Sequence, residues 1–467
     1  MLQIPVSELD IEPGQVSEWR IGCAGRPAAE TGPEHLRAAS FNQDKHFTVA
    51  VDARRDDDPL ASWVATTFEL PGRLDRAALE KALRYFVGRH EVLRCDFRQL
   101  AGGDLGCAAL SPDEITVQRL DVGHIDTTEE LRRYIFDFFV KGVDTLSWPL
   151  IVVGAVERET HTTLFIAYDH LVSDGMSSPI AVNDVTAAYT AYVDGREPEL
   201  PPAGSYVDFG HQQRRRYAAI EADDPRLAYW RGFMARNGGF FPPFPLDLGV
   251  EPGVMYPAVN ETDKLLAHAE LEALDGHCRA AGGRLSMAML AGIAIALREA
   301  GGPDVYRGLM PVSERGSGDR RHAMGWFVNT MPIEFSVAAD LDFAGIITGV
   351  DAAFREMLAN VDVPFVKAWH LLAPELGTIR SWPYPVNFFS YLDFRKALGG
   401  EHLPKWNAHK HIWAATSNGI CYWFHRNADG LFLNTIHART PQAIRTKATV
   451  LDLLTGTLGR MARHGAV

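Results

Sequence analysis

The chain has 467 residues, of which 46% are hydrophobic and 22% are charged, so it is long enough for a large core and for two or three domains of about 100–200 residues each. Its formal net charge of −13 argues against capture of nucleic acid or an anionic membrane through a broad basic surface. Its five cysteines are scattered without a CxxC pair, which argues against a disulfide framework or a zinc knuckle.

Neither the N-terminal segment nor the apolar stretches resemble a targeting signal. Residues 1–14 carry early acidic residues and no apolar core, so we do not expect a signal peptide. The longest small and apolar stretch, 286–297, is shorter than the roughly 20 residues that a membrane span needs. We therefore expect a cytoplasmic protein.

Two amphipathic helices are predicted in the first part of the chain. Asp75 is a suitable N-cap for the first helix, and apolar residues follow it at the i, i+3, i+4, i+7 spacing of one buried face. The second helix is predicted over 127–141. The inward positions are Leu79, Ala82, Leu83 and Phe86 in the first helix, and Leu131, Ile135, Phe138 and Phe139 in the second.

A hairpin of two buried strands is predicted next. The apolar runs 149–156 (PLIVVGAV) and 162–168 (TTLFIAY) are joined by a short polar segment, which is typical of paired strands. A helix should follow the second strand, with Ser177 or Ser178 as its cap and Pro179 in its first turn. The predicted inward face and C-terminal end of this helix are Val182, Val185, Tyr189, Tyr192 and Gly195.

A proline-rich segment, REPELPPAG at 196–204, is predicted to link two halves of the chain, which gives domains at 1–198 and 199–467. Strand-like and helix-like patterns mix in both halves, so we predict an α/β (α+β) fold. The predicted helices of the second half are 268–281, 285–299 and 343–359, and its predicted strands are 304–312, 326–335, 385–394 and 418–436.

The stretch YDHLVSDGMS, residues 168–177, joins the second hairpin strand to the helix. It holds His170, Asp174 and Gly175 in the spacing H-x-x-x-D-G. A histidine at the end of a buried strand can present a neutral nitrogen and accept a proton at neutral pH, and glycine relieves steric limits where the chain turns. The pattern fits a general base for a hydroxyl or amine, and not a serine triad, because no G-x-S-x-G elbow occurs. An ordinary loop histidine is the alternative on spacing alone.

Four segments, in this order, resemble motifs of the condensation-domain-like acyltransferases. This family includes the condensation domains of nonribosomal peptide synthetases, free-standing condensation enzymes and polyketide-associated acyltransferases. The first three segments are similar to the family's RHExLRTxF, HHxxxDG and GxFxNTxPxx motifs, and the fourth to a strand that lines the acceptor side. The segments are GRHEVLRCDF (88–97), DHLVSDG (169–175), MGWFVNTMPIEF (324–335) and VNFFSYLDF (386–394).

The resemblance implies two chloramphenicol-acetyltransferase-like lobes arranged as a V around a central tunnel. In that arrangement His170 lies in the tunnel as a general base, or as the group that positions the nucleophile. Asp174 is then structural and pairs with an arginine of the other lobe, for which Arg315 is the candidate. A buried pair of this kind is costly to break on one side.

The chain departs from the family pattern in two places. Asp169 replaces the first histidine of the motif, and its charge would raise the basicity of His170 if the two lie close together. The DFGWG element of polyketide-associated and plant acyltransferases is absent, with NADGLF at 427–432 the nearest string, which weakens a close tie to those CoA-using enzymes. No adenylation or carrier-protein sequence is present, so we expect a free-standing enzyme whose donor is delivered in trans.

Further candidate residues have competing interpretations. Ser390 falls where many family members place an asparagine that faces the reacting carbonyl, and its hydroxyl could donate to an oxyanion; a strand serine bonded to its neighbours is the alternative. Trp326 and Asn329 are candidates for substrate contact, although we expect Trp326 to fill the core and Asn329 to fix its strand. His409 and His411 lack spaced carboxylate or cysteine partners, so we expect no metal there.

These features predict a free-standing condensation enzyme of natural-product biosynthesis, with the enzymes of enediyne pathways as the nearest resemblance. It would transfer an acyl or aminoacyl group from a phosphopantetheine thioester to an acceptor hydroxyl or amine. Its partners would be an acyl or peptidyl carrier protein and a small-molecule acceptor, and we expect no bound cofactor. The alternatives are a CoA-dependent O-acyltransferase of a sugar or lipid, and a non-catalytic module that recruits carrier proteins.

Overall fold

A computed structural model shows the chain as two compact units. The described residues are 1–24, 36–56, 62–100, 102–377, 379 and 382–466. Unit 1 comprises Met1–Ala218, Glu314–Val328 and Lys396–Trp413, and unit 2 comprises Ala219–Ser313, Asn329–Arg395 and Ala414–Val467.

Strands and helices mix throughout the described residues, which confirms the predicted α/β (α+β) class. The strands are β1 Leu2–Ile4, β2 Gly14–Cys23, β3 Arg37–Ala38, β4 Trp63–Pro71, β5 Cys95–Gln99, β6 Leu105–Ala109, β7 Ile115–Ile125, β8 Ile151–Glu157, β9 His161–Asp169, β10 Tyr256–Ala267, β11 Val305–Ser313, β12 Val328–Ser336, β13 Phe389–Asp393, β14 His409–Ile412, β15 Thr416–Ser417, β16 Ile420–Arg426 and β17 Gly430–Ala438. The α-helices are α1 Phe41–Arg55, α2 Arg76–Arg89, α3 Thr128–Gly142, α4 Ser177–Val193, α5 Tyr206–Tyr217, α6 Ala228–Asn237, α7 His268–Ala280, α8 Leu285–Glu299, α9 Phe343–Ala359, α10 Phe365–Leu372 and α11 Pro441–His464.

A seven-stranded sheet forms the centre of unit 1. Its order is β1-β14-β4-β9-β8-β2-β7, and a smaller sheet has the order β3-β6-β5. The predicted hairpin is confirmed, since β8 pairs antiparallel with β9 and Ile151 lies opposite Tyr168. Every residue of β9 after His161 is buried, which matches the continuous apolar run of its sequence.

The helix α3 packs on this sheet through the predicted stripe. Leu131, Ile135 and Phe139 are fully buried in one cluster with residues of β2, β4 and β9. Phe138, which was also predicted to point inward, is only half-buried and packs at the rim of this cluster. Burial of each such side chain contributes about 1.5–3 kcal/mol.

The helix α2 begins as its sequence predicts. Oδ1 of Asp75 accepts the N–H of Ala78 at 2.9 Å, which satisfies one of the free donors of the first turn. The four predicted inward residues of this helix are buried. α2 lies against α4, so the predicted stripe of α2 covers the helix that follows the H-x-x-x-D-G segment.

Unit 2 is built on a five-stranded sheet of order β13-β16-β17-β10-β15, with β11 and β12 forming a separate pair. α8 packs against α11, and a Cβ atom at Gly292 would lie 2.7 Å from Leu458 Cδ2. The glycine therefore permits the close approach of these two helices. The predicted helices at α7, α8 and α9, and the predicted strands at β11 and β12, are present at nearly the predicted bounds.

The division of the chain differs from the predicted boundary at 198/199. Unit 1 continues to Ala218 and takes in two later segments, because β14 pairs with both β1 and β4. The proline-rich segment 196–204 therefore lies within unit 1, and α5 follows it there. A Cβ atom at Gly210 of α5 would lie 2.8 Å from the backbone nitrogen of Ser40, which shows how closely α5 packs.

No single helix among the described residues has the length and apolar composition of a bilayer span. The consecutive helices α7 and α8 satisfy these criteria only when taken together, and the chain bends by 99° between them.

Candidate active site

The H-x-x-x-D-G segment has the predicted strand-to-helix form. β9 ends at Asp169, one 3₁₀ turn covers His170–Val172, and α4 starts at Ser177. The backbone N–H of His170 donates to Ser62 O at 2.9 Å. The imidazole is therefore carried by a residue whose backbone is fixed at the end of a buried strand.

The predicted helix cap at Ser177 or Ser178 is wrong, since the N-cap position of α4 is Met176 and its side chain makes no capping bond. Ser177 bonds to the loop instead. Its Oγ accepts a hydrogen bond from the backbone N–H of Asp174 at 2.9 Å. The same hydroxyl donates to Asp174 Oδ1 at 3.1 Å. The serine thus holds the aspartate of the motif in place before the helix begins.

Asp174 forms a buried ion pair with Arg315, the candidate partner. Nη2 of Arg315 lies 2.8 Å from Oδ1 and 2.9 Å from Oδ2 of Asp174, and the two side chains are 7% and 2% exposed. The carboxylate also accepts the N–H of Phe327 at 3.2 Å. The resemblance placed this arginine in the other lobe, whereas Arg315 belongs to unit 1. The pair therefore ties the segment 314–328 to the H-x-x-x-D-G loop within one unit.

The segment GRHEVLRCDF forms a second anchor for the same stretch. His90 Nε2 lies 2.9 Å from Asp184 Oδ2, and Arg89 Nε donates to the same oxygen at 2.8 Å. His90 Nδ1 accepts the N–H of Met324 at 3.2 Å. Burial lowers the pKa of His90 despite the bond to Asp184. The segment therefore has a structural role, because it connects Asp184 of α4 to the backbone at Met324.

The ring of His170 lies against the indole of Trp326, with centroids 4.0 Å apart and planes inclined by 43°. We expected Trp326 to fill the core; it is instead half-buried, and its indole packs against this histidine. Among the residues that the structure describes, the buried Nδ1 of His170 makes no hydrogen bond. The imidazole as a whole is only partly buried.

Burial and, to a smaller extent, the nearby His46 lower the pKa of His170 to about 4, although Asp169 and Asp174 oppose the shift. The imidazole is therefore neutral at pH 7 and can accept a proton. The predicted effect of Asp169 on basicity has the right sign, but burial outweighs it. Removing the ring from water disfavours its charged form more than a carboxylate favours it.

Asp169 forms its hydrogen bonds with groups other than the His170 side chain. Its Oδ2 accepts from Thr145 Oγ1 at 2.7 Å, and its Oδ1 accepts the N–H of Leu171 at 2.7 Å. His46 Nε2 lies 3.2 Å from Oδ1. His46, on α1, is absent from the residues proposed from sequence. It lies 123 positions from Asp169, and no local spacing links the two.

A buried lysine is the other residue that the sequence analysis missed. Lys410 on β14 is 4% exposed, and its Nζ donates to the carbonyl oxygen of Gly175 at 3.4 Å. Burial lowers its pKa to about 8, and Asp174 opposes the shift. Its neighbour His411, considered above for a metal, contacts Thr67 Oγ1 at 2.9 Å. Within the described chain, no group of three or more histidine, cysteine or acidic residues could hold a metal.

The remaining candidates, Ser390 and Asn329, belong to unit 2. Ser390 lies on β13, opposite Trp423 of β16. Asn329 Nδ2 donates to Val363 O at 3.0 Å, and its Oδ1 accepts the N–H of Phe365 at 2.8 Å. Asn329 therefore connects β12 to the start of α10, which agrees with the structural interpretation of this residue.

The family profile of the condensation domain matches residues 53–375. The chain belongs to the condensation-domain family. The match covers the H-x-x-x-D-G loop and its two anchors, which are the ion pair with Arg315 and the contacts of His90. Enzymes of this family take their acyl group from a thioester, which fits a site built on a neutral histidine.

Several polyketide-associated acyltransferases are similar to this condensation-domain protein. The 2'-acyl-2-O-sulfo-trehalose (hydroxy)phthioceranyltransferase PapA1 of Mycobacterium tuberculosis is 29% identical over 387 residues, which are 82% of this chain and 74% of the relative. The trehalose-2-sulfate acyltransferase PapA2 of the same species is 28% identical over 385 residues, covering 82% and 80%. These relatives are acyltransferases, and the chain is an enzyme of that class.

Solved structures share the condensation-domain fold. The PapA2 acyl transferase superposes with a TM-score of 0.88 at 24% identity, covering 99% of this chain and 100% of that one. SgcC5 from Streptomyces globisporus gives 0.64 at 16% identity, covering 91% and 99%. The missing DFGWG element suggested distance from the polyketide-associated acyltransferases, and the similarity to PapA1 and PapA2 corrects that inference. The string at 427–432 comprises the turn 427–429 between β16 and β17 and the first three residues of β17.

Proposed function

We propose that this acyltransferase moves an acyl group from a thioester to a hydroxyl of a carbohydrate acceptor, forming an ester and a free thiol. The observation that carries the proposal is His170, which directly follows β9, is only partly buried and is neutral at pH 7 because its pKa is lowered to about 4. The carbohydrate acceptor is supported by the relatives, whose names specify trehalose derivatives.

His170 would act as the general base of this reaction. It accepts the proton of the acceptor hydroxyl while the hydroxyl oxygen attacks the thioester carbonyl carbon. The tetrahedral intermediate then collapses, the C–S bond breaks, and the proton passes from His170 to the departing thiolate. A base with a pKa of about 4 is weak in the resting site, but negative charge that develops beside it stabilises the imidazolium. Proton transfer therefore becomes favourable as the attack proceeds.

A hydroxyl acceptor needs this base more than an amine does. An alcohol holds its proton tightly at neutral pH and attacks well only if the proton is removed during the reaction. A neutral amine already carries a lone pair, and positioning alone supplies much of its rate. The base in the site therefore favours ester formation as the main activity.

The donor is an acyl thioester, for which acyl-CoA is one source. An acyl or aminoacyl group on the phosphopantetheine of a carrier protein, including the enediyne case, presents the same thioester to His170. The two donors differ in the surface that delivers them, so the chemistry derived above applies to both.

A panel of donors and acceptors tests the proposal. Acyl-CoAs of several chain lengths and one acyl-loaded carrier protein are combined with trehalose, a simple alcohol and a primary amine. Release of free thiol and the mass of the product are followed with the wild-type enzyme, His170→Ala and the control His402→Ala, whose side chain is 64% exposed. Esters formed by the wild type and the control, but not by His170→Ala, support the proposal. Only amides, or no product from any pair, contradict it.

A further inference from the structure

His46 and Asp169 form an imidazole–carboxylate pair next to the proposed base. His46 Nε2 lies 3.2 Å from Asp169 Oδ1, and the side chains are 12% and 1% exposed. Thr145 and the backbone N–H of Leu171 hold the same carboxylate at 2.7 Å each. Since Asp169 is fixed by these bonds, it in turn fixes the ring of His46.

The ring of His46 completes a cluster with the two rings of the candidate site. It meets Trp326 edge-on, with centroids 5.5 Å apart and planes inclined by 78°. Its centroid lies 6.3 Å from that of His170. The three rings therefore form a triangle in which Trp326 contacts both histidines.

The helix that carries His46 is fixed to both segments of this cluster. Gln43 Nε2 donates to Leu171 O at 2.9 Å, which ties α1 to the turn that contains His170. Asn42 Nδ2 donates to Val328 O at 2.8 Å, which ties α1 to the segment that contains Trp326. The position of His46 is therefore determined by the same loops that position the proposed base.

We infer that His46, held by Asp169, is a positioning residue that keeps Trp326 against His170. The first motif histidine of the family is Asp169 in this chain, and the carboxylate of Asp169 contacts the His46 imidazole, which comes from a different helix. His46 is also the second largest cause, after burial, of the lowered pKa of His170. The catalytic consequence of this inference rests on the proposed function, whereas the effect on protonation does not.

The charges that face this cluster come from several elements. Asp169 and Asp174 favour the protonated form of His170, and Arg315 neutralises Asp174 through its ion pair. Lys410 adds a buried positive charge at Gly175. A variant that removes only His46 leaves all four of these groups in place, so it isolates the contribution of the second imidazole.

The direct test is an NMR titration of the histidine rings without any substrate. In His46→Gln the pKa of His170 should rise, because the variant removes the second largest cause of its lowered value. The matched variant His402→Gln, on the exposed surface, should leave it unchanged. An unchanged pKa of His170 in a folded His46→Gln protein would overturn the inference.

Kinetics distinguish failure of this inference from failure of the proposed function. If the enzyme forms esters, His46→Gln should lower kcat about tenfold with little change in KM, because a displaced base costs rate more than binding. Asp169→Asn should act through the same pair, so the double variant should lose no more than the worse single variant. Independent, multiplying losses would contradict the pairing. A shifted pKa of His170 in an enzyme that forms no ester would sustain the inference and reject the proposed function.

Discussion

The imidazole of His170 lies against the indole of Trp326, with 4.0 Å between the ring centroids. This contact covers part of the ring, and burial is the main cause that lowers the pKa of His170 to about 4. One aromatic side chain from the segment 314–328 therefore contributes to both the position and the protonation state of the proposed base.

Replacing Trp326 with alanine should weaken both effects. Water would reach the imidazole, so the pKa of His170 should rise toward its ordinary value, and the loosened ring should lower kcat by roughly 10- to 100-fold. NMR titration of His170 and steady-state kinetics with one ester-forming substrate pair measure the two effects. Trp326→Phe, which keeps an aromatic ring, should recover most of the rate. Trp326→Ala with a wild-type pKa for His170 would show that the indole does not control its protonation.

The buried pair between Asp174 and Arg315 should be strongly destabilising to break on one side. Arg315→Met leaves the Asp174 carboxylate buried without its charge partner, and such a change typically costs about 3–5 kcal/mol. Urea unfolding monitored in unit 1 measures the loss. The exposed Arg196 pairs with Asp194 on the surface of unit 1, so Arg196→Met serves as a control that should cost at most about 1 kcal/mol. Equal, small losses in both variants would contradict a structural role for the buried pair.

Buried histidines should make the protein sensitive to mild acid. Burial lowers the pKa of His411 to about 3, below its ordinary value near 6.5. The unfolded chain therefore binds more protons than the folded chain between about pH 6.5 and pH 3, and the free energy of unfolding should fall as the pH falls through this range. Comparing wild type with His411→Leu at pH 7 and pH 4.5 isolates this contribution. The wild type should lose more stability than the variant on acidification; parallel losses would reject the burial argument.

The buried ammonium of Lys410 should also make the free energy of unfolding rise with pH, in this case in the alkaline range. Its folded pKa of about 8 lies below the ordinary lysine value near 10.4, so between these values the unfolded chain again binds more protons. The free energy of unfolding of the wild type should therefore rise relative to that of Lys410→Met as the pH is raised from 8 to about 10. Measuring the free energy of unfolding of both proteins over this pH range tests the prediction. A constant difference between the two proteins would show that Lys410 does not titrate as a buried group.

Local patterns were sufficient to predict the scaffold around His170. The apolar runs of β8 and β9, the cap at Asp75 and the turn residues after His170 each act within a few positions, so the sequence displays them directly. The resemblance added Arg315 as the partner of Asp174, a pairing across 141 positions that local spacing does not indicate.

The parts of the site that the sequence analysis missed depend on long-range packing. His46 reaches Asp169 because α1 bonds to the turn at Leu171, and Lys410 reaches Gly175 because β14 pairs with β1 and β4. These pairings depend on tertiary structure and leave no periodic signal in the chain. The same pairing of β14 explains why the boundary at 198/199 differs from the observed division into units.

The most direct test of the account is the rate of ester formation by His170→Ala. With a donor and a hydroxyl acceptor that the wild type uses, the account predicts a loss of about 10²- to 10⁴-fold in kcat. The loss should be smaller when an amine replaces the hydroxyl, and the unfolding free energy should be close to that of the wild type. Ester formation by His170→Ala at the wild-type rate would contradict the assignment of His170 as the base.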